Sequence, residues 1–337
     1  MRYQILLSCF LALSVSANGQ TKKILLNNSS PELLAELQSV TTHARIVPVN
    51  NDNILAEIVD ADGFIGWITP EQVRAGTRLE WVQTMSAGVE TVLHLSGSTD
   101  LRDREIVLTN NQIVQGPEIA DHAMAMLLAL ARDLDGFLEL KKRKTWQREG
   151  YSGIELNGRT ALVIGMGGIG TQIAFRAWAH GMNVVGVDPE DIPFMPVVSK
   201  VIKPDQVEEL LPESDVIFVA APHTPATHKL LGPEQFAKMK KGAYFIAVSR
   251  GRLYDLEALT EAVSSGRLAG AGVDVTDPEP LPEDHPLWTV DNVIITPHIA
   301  GRSDQDRDRM VATIKQNILR FVEGKPLVNV VDKQKGY

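Results

Sequence analysis

The segment Gly165-Met166-Gly167-Gly168-Ile169-Gly170 constrains this chain more than any other stretch of it. It follows a short β-prone run at 160–164 and opens a helical pattern that continues to about His180. Glycines at this spacing between a strand and a helix answer three separate demands. Gly165 permits the tight turn, Gly167 lets backbone approach a pyrophosphate, and Gly170 lets helix and strand pack closely. The first helical turn, through Gly168 and Ile169, adds unpaired N–H groups and a partial positive charge. A second apolar run, Val184-Val185-Gly186-Val187, ends in Asp188. A carboxylate there accepts the ribose hydroxyls of NAD and repels a 2′-phosphate. Pro189-Glu190-Asp191 follows, with no arginine to welcome NADP. NAD is therefore the expected cofactor.

Elsewhere, short apolar runs alternate with helical patterns, the signature of βα units and parallel sheets. Strands are expected near 23–26, 45–49, 63–67, 81–85 and 105–109, then at 160–164, 184–188, 215–220, 244–248, 271–275 and 293–296. The later six suit a doubly wound sheet. Between the two sets lie helical patterns at 117–134 and 136–149. The first is apolar nearly all round, so it should be buried on most sides and could tie two domains or two subunits together. After Pro297 an amphipathic helix at 303–323 leads the chain back to its N-terminal half. The pattern predicts an α/β protein of two Rossmann-like domains. An NAD-binding doubly wound parallel sheet at 119–297 is inserted into a flavodoxin-like substrate domain at 22–118 and 298–330.

Composition removes several alternatives. The 337 residues carry 33 Lys and Arg against 42 Asp and Glu, a formal net charge of −9, which argues against a nucleic-acid partner. Lys141-Lys142-Arg143-Lys144 reads as a solvated face. The single cysteine, Cys9, excludes a disulfide framework and any zinc site built on several cysteines. No His-Glu-x-x-His occurs, so no metal is expected. Residues 1–17 pair a basic Arg2 with an apolar run at 5–15 and small residues at Val15-Ser16-Ala17. That is a secretory signal pattern, too short to span a bilayer. Export to the periplasm or beyond is expected, with no membrane span after cleavage; a cytoplasmic chain is the alternative.

Three further motifs stand at the carboxyl ends of successive strands, the edge at which open α/β sheets bind ligands. They are Val248-Ser249-Arg250-Gly251, then Asp274 with Glu279 in the turn Asp277-Pro278-Glu279-Pro280, and Thr296-Pro297-His298-Ile299-Ala300-Gly301. Hydride transfer between an alcohol and a ketone needs a proton donor or acceptor on oxygen, a cationic anchor and a group that tunes the proton donor. His298, Arg250 and Glu279 supply those three roles.

In this order, the motifs resemble the D-isomer-specific 2-hydroxyacid dehydrogenase family, which includes glyoxylate/hydroxypyruvate reductases, phosphoglycerate dehydrogenases and formate dehydrogenase. The resemblance covers about residues 22 to 330. It implies NAD-dependent interconversion of a 2-oxoacid and a D-2-hydroxyacid, with His298 as acid/base, Glu279 paired to it and Arg250 orienting the substrate. It places Val248, Arg250, Asp274 and Gly301 with the glycine loop on the cofactor. It likewise assigns the backbone of Ala87 and Gly88, in Ser86-Ala87-Gly88-Val89, to the substrate carboxylate. Trp146 resembles a tryptophan that family dimers present near the partner's active site, so a homodimer is implied. Glu90 stands where the family commonly has Asp, Asp121 where it has Glu, and Ala247 where Asn is frequent; these departures bear on substrate preference and on cofactor-side hydrogen bonds, not on the chemistry. Trp67, Met85 and Glu90 are expected to shape the substrate pocket. The alternatives are an NAD(H)-sensing scaffold of the same fold without turnover, and a different reaction on the same fold, such as formate oxidation.

Overall fold

A computed structural model describes residues 21–27 and 29–337. The expected signal segment at 1–17 lies outside the described residues. The first sheet comprises β1 (Lys22–Asn27), β2 (Ala44–Val49), β3 (Gly63–Ile65), β4 (Trp81–Gln83) and β5 (Val107–Thr109) in the order β2-β1-β3-β4-β5. All its pairings are parallel, which is the flavodoxin-like order. Central strands of such sheets are covered on both faces and so read as continuous apolar runs. In β1, Ile24 and Leu26 face one core, where they meet Val311, Ile314 and Ile318 of the helix Asp306–Val322. Leu25, pointing the other way, meets Val49, Phe64 and Val82. The C-terminal helix therefore completes the first domain. Trp81 is fully buried between these layers, and its indole N–H donates to Thr109 Oγ1 at 2.8 Å, the partner such a buried donor needs.

The second sheet holds β6 (Thr160–Ile164), β7 (Asn183–Val187), β8 (Lys200–Ile202), β9 (Val216–Val219), β10 (Ala243–Ala247), β11 (Leu268–Val273) and β12 (Val293–Ile295). They are all parallel in the order β12-β11-β10-β9-β6-β7-β8. Counted from β6, this is the Rossmann order with one added edge strand. The chain reverses direction across the sheet between β6 and β9, so a crevice opens above their carboxyl ends.

Seven strands replace the expected six. The extra one, β8, is three residues long and only partly buried, so it leaves no apolar run to read. The two helices after β5 are also shorter than their patterns. Gly116–Ala131 buries Ile119, Ala123, Met126 and Leu127 against the second sheet. Asp133, at φ +51°, then breaks the chain before Leu134–Lys142. That second helix buries no side chain, so nothing extends it to residue 149. Glu118 and Arg309, at 2.6 Å, tie the helix Gly116–Ala131 to the C-terminal helix of the other domain. Asp121 is spent on Arg176 at 2.5 Å. Among the described residues no helix is long and apolar enough to cross a membrane, and no cluster of side chains could hold a metal ion.

Candidate active site

The glycine loop sits at the carboxyl end of β6, on the crevice. Gly165 has φ +92°, a left-handed backbone that side chains resist. A Cβ on Gly170 would lie 1.8 Å from the Gly165 carbonyl oxygen, so the turn closes only with glycine there. Gly167 differs: it is exposed, and apart from its own chain neighbours no protein atom lies within 4 Å of the position its Cβ would take. Only a ligand would be excluded by a side chain at that point. The helix Gly168–Ala179 starts here with free N–H groups, so the loop fits a pyrophosphate. Ile169, on that first turn, is half-buried.

Asp188 follows β7 and is 8% exposed. Its Oδ2 accepts the Met166 N–H at 2.7 Å and its Oδ1 accepts the Glu190 N–H at 2.9 Å. It thus fastens the glycine loop to the loop after β7, while further lone pairs remain for ribose hydroxyls. A cleft lined by Asp188, Ile192, Phe194 and Met195 adjoins it. Beside it, the Lys335 ammonium and the Tyr337 hydroxyl donate to Glu190 and hold its carboxyl below the usual carboxylate range. Glu190 is thus paired, and Asp188, which meets no cation among the described residues, is the negative group at the ribose end of the crevice.

The catalytic candidates converge at the other end. His298 Nδ1 lies 2.8 Å from Glu279 Oε2, and Glu279 Oε1 accepts the Thr276 N–H at 3.0 Å. Burial pushes the Glu279 carboxyl up, but hydrogen bonds from His298 and Thr276 and the charge of Arg250 outweigh it; its pKa is lowered overall. Gly251 brings the Arg250 strand end against this turn, since a Cβ there would meet the Thr276 backbone at 2.0 Å. Arg250 reaches the first domain, where it pairs with Glu90 at 2.5 Å. In the facing loop, Ser86 Oγ donates to the Gly88 carbonyl and Asn110 Nδ2 to the Ala87 carbonyl, each at 2.6 Å. The N–H groups of Ala87 and Gly88 donate to no acceptor among the described residues.

The remaining expected residues are fixed by contacts within the protein. Asp274 is 2% exposed, and its carboxylate accepts from the Thr296 hydroxyl at 2.6 Å and from the N–H groups of Ile299 and Ala300 at 2.9 Å. Its observed contacts are thus with the loop that carries His298. Val248 is buried and its N–H meets the Val219 carbonyl at 3.2 Å. Gly301 accepts from Gln115 Nε2 at 3.0 Å, where the chain passes between domains. Asn110, Thr296 and His122, whose Nε2 lies 2.9 Å from Thr296 Oγ1, were not singled out as site residues from sequence. Thr296 was signalled only by its place in the His298 motif.

Known proteins share this chain's sequence and fold. The profile of the D-isomer specific 2-hydroxyacid dehydrogenase NAD binding domain matches residues 124–300. The glyoxylate reductase of Korarchaeum cryptofilum is 32% identical over 298 residues, spanning 85% of this chain and 87% of that protein. The D-3-phosphoglycerate dehydrogenase of Methanocaldococcus jannaschii is 34% identical over 84% of this chain, but the chain spans only 54% of its length. Among solved structures, the TT0316 protein of Thermus thermophilus is 34% identical, with a TM-score of 0.75 over 92% of this chain and 99% of that one. A D-isomer specific 2-hydroxyacid dehydrogenase family protein of Aeromonas salmonicida is 30% identical, with a TM-score of 0.78 over 93% and 99%. The second domain is an NAD-binding domain of this type, and the chain belongs to the D-isomer-specific 2-hydroxyacid dehydrogenase family.

Proposed function

We propose that the protein interconverts a small 2-oxoacid and the corresponding D-2-hydroxyacid, using NAD(H). The observation that carries this is the 2.8 Å contact between His298 Nδ1 and Glu279 Oε2, on the same crevice as Arg250 and the open face of Gly167. When bound, the nicotinamide supplies hydride to the carbonyl carbon or takes it from the alcohol carbon. Arg250 and the N–H groups of Ala87 and Gly88 hold the substrate carboxylate and orient its carbonyl. Glu279 engages Nδ1 of His298, which leaves Nε2 to give a proton to the carbonyl oxygen in reduction and to take it back in oxidation. Asp274 acts through the loop it fastens, and Asp188 favours NAD over NADP.

The test is NADH consumption by the purified protein with glyoxylate, hydroxypyruvate, pyruvate and phenylpyruvate, beside His298→Ala. Removing a general acid costs about 10²- to 10⁴-fold in rate. Turnover that survives His298→Ala would defeat its assignment. NADH binding with no turnover of any acid would favour the NAD(H)-sensing scaffold.

A second copy of the chain is the proposed cover for Leu134, Leu138 and Trp146, which are 48%, 53% and 88% exposed. Sedimentation as a monomer at micromolar concentration would refute that. Export rests on the pattern of residues 1–17 alone. A mature N-terminus at Met1 in the native host would overturn it.

A further inference from the structure

Arg250 crosses from the end of β10 to the first domain with two of its three guanidinium nitrogens engaged. Its Nε donates to Glu90 Oε1 at 2.5 Å, and its Nη1 donates to the Ser249 carbonyl at 2.7 Å. Nη2 is left with no acceptor among the described residues. It is also the nitrogen that lies over the substrate loop: a Cβ built on Gly88 would sit 1.9 Å from Nη2 and 2.5 Å from Glu90 Oε2. Guanidinium, carboxylate and the Gly88 backbone therefore share one small volume. The Glu90 side chain is only 15% exposed there, so this is no solvated surface pair.

We propose that Glu90 is a positioning and specificity residue, which turns Arg250 so that Nη2 faces the substrate and whose charge excludes substrates with a second anionic group. The proposal rests on the 2-oxoacid reading given above. A free guanidinium grips a carboxylate through two parallel N–H bonds. With Nε held by Glu90, the Nε–Nη2 edge is closed to that grip. The substrate carboxylate then takes Nη2 and completes its bonding on the N–H groups of Ala87 and Gly88.

Charge sets the selectivity. Glu90 cancels Arg250, so a phosphate or second carboxylate on the substrate would meet Glu90 with no cation to spare. Burial lowers the pKa of His94 and of His223, with help from Arg102 for the first and from His228 and Arg252 for the second, so neither supplies a charge at neutral pH. Arg252 is paired with Asp277 at 3.3 Å, while Arg102 meets only its chain neighbour Asp103, at 3.8 Å. The substrate class is accordingly a monocarboxylate 2-oxoacid with a small neutral side group. A hydroxyl on the third carbon gains Glu90 as an acceptor.

The test compares wild type, Glu90→Gln and Glu90→Asp with saturating NADH. Glyoxylate and hydroxypyruvate serve as monoanions, 3-phosphohydroxypyruvate and oxaloacetate as doubly charged probes. Wild type is expected to prefer the monoanions. Glu90→Gln should raise their KM about tenfold with kcat within about threefold, the split expected of lost binding orientation. It should also raise the relative kcat/KM for the doubly charged acids about tenfold. Glu90→Asp, which keeps the charge, should restore both. A wild type that prefers the doubly charged acids overturns the proposal, as does an unchanged KM and preference in Glu90→Gln.

Calorimetric titration of the NADH complex with oxamate and with tartronate reads the same selectivity without turnover. No turnover together with oxamate preferred, and that preference lost in Glu90→Gln, defeats the dehydrogenase reading and leaves Glu90 its role. Turnover without that pattern defeats Glu90 alone.

Discussion

The carbonyl oxygen of Asp274 accepts the N–H of His298 at 2.8 Å, and the Asp274 carboxylate accepts the N–H groups of the next two residues. One buried residue at the end of β11 thus sets the backbone of the histidine beyond β12. His298 has φ +52°, a left-handed conformation uncommon for a side chain of its size, and these bonds hold it there.

Asp274→Asn tests this relationship. The amide keeps one acceptor but turns N–H groups toward a donor, a mismatch worth about 1–3 kcal/mol when buried. A His298 loop displaced by a fraction of an ångström should lower kcat about 10²-fold. NADH affinity should change less than about threefold, because the observed contacts of Asp274 are with the loop. A tenfold or greater loss of NADH affinity would instead assign Asp274 to the cofactor contact that the family resemblance implies.

Glu279 carries a pH signature. Its carboxyl is held below its ordinary value of 4.5 in the folded protein, burial being outweighed by His298, Thr276 and Arg250. A lowered folded-state pKa means that the ionised carboxylate stabilises the fold above the unfolded-state value, and that this is lost as pH falls through the folded-state value. Glu279→Gln keeps an acceptor for the Thr276 N–H but cannot ionise. The stability gap between wild type and variant should be constant above about pH 5 and should close below about pH 4.5. Urea unfolding across that range measures it. A gap that does not narrow at any acid pH at which the protein stays folded would show that the carboxylate charge adds nothing.

Two glycines three residues apart should part company. Gly167→Ala places its methyl in open space, so its melting should cost no more than about 1 kcal/mol, mostly from a poorer helix cap. The same methyl stands where a pyrophosphate would approach, so NADH affinity should fall tenfold or more, or about 1.4 kcal/mol. Gly170→Ala drives its methyl into the Gly165 carbonyl and should lose about 2 kcal/mol or more of stability before any ligand is added. Thermal melts with and without NADH separate the two. Equal destabilisation would remove the distinction between a ligand-facing and a packing glycine.

What was legible in the sequence was local. The glycine loop, the strand ends and the His298 and Glu279 motifs each fit within a few residues whose types have a direct steric or chemical meaning. β8 was illegible because Lys200-Val201-Ile202 is short and half-exposed. The Arg250–Glu90 pair was illegible because its partners come from different domains, 160 residues apart. His122 and Thr296 belong to one domain, but they are joined across 174 residues. Residue type could nominate Arg250 as an anchor. Only the fold shows that Glu90 already holds one side of it.

Cofactor choice gives the sharpest division of labour within one residue. Asp188 fastens Met166 and Glu190 through its two oxygens and also presents negative charge at the ribose end. Asp188→Asn keeps the size and one acceptor, sets an amide against one of those N–H groups, and removes the charge. The melting temperature should therefore drop by a few degrees, about what a buried hydrogen-bond mismatch of 1 kcal/mol gives in a domain of this size. Separately, kcat/KM for NADPH relative to NADH should rise about tenfold, since the repulsion of a 2′-phosphate is eased. The switch should stay incomplete, because Lys335 and Tyr337 keep Glu190 ionised beside it. Adding Glu190→Gln should raise the ratio further without a second drop in melting temperature, Glu190 being a half-exposed side chain whose backbone N–H, not its carboxylate, meets Asp188. If wild type already uses NADPH as well as NADH, the charge of Asp188 does not decide the cofactor, and holding the glycine loop in place is its whole contribution.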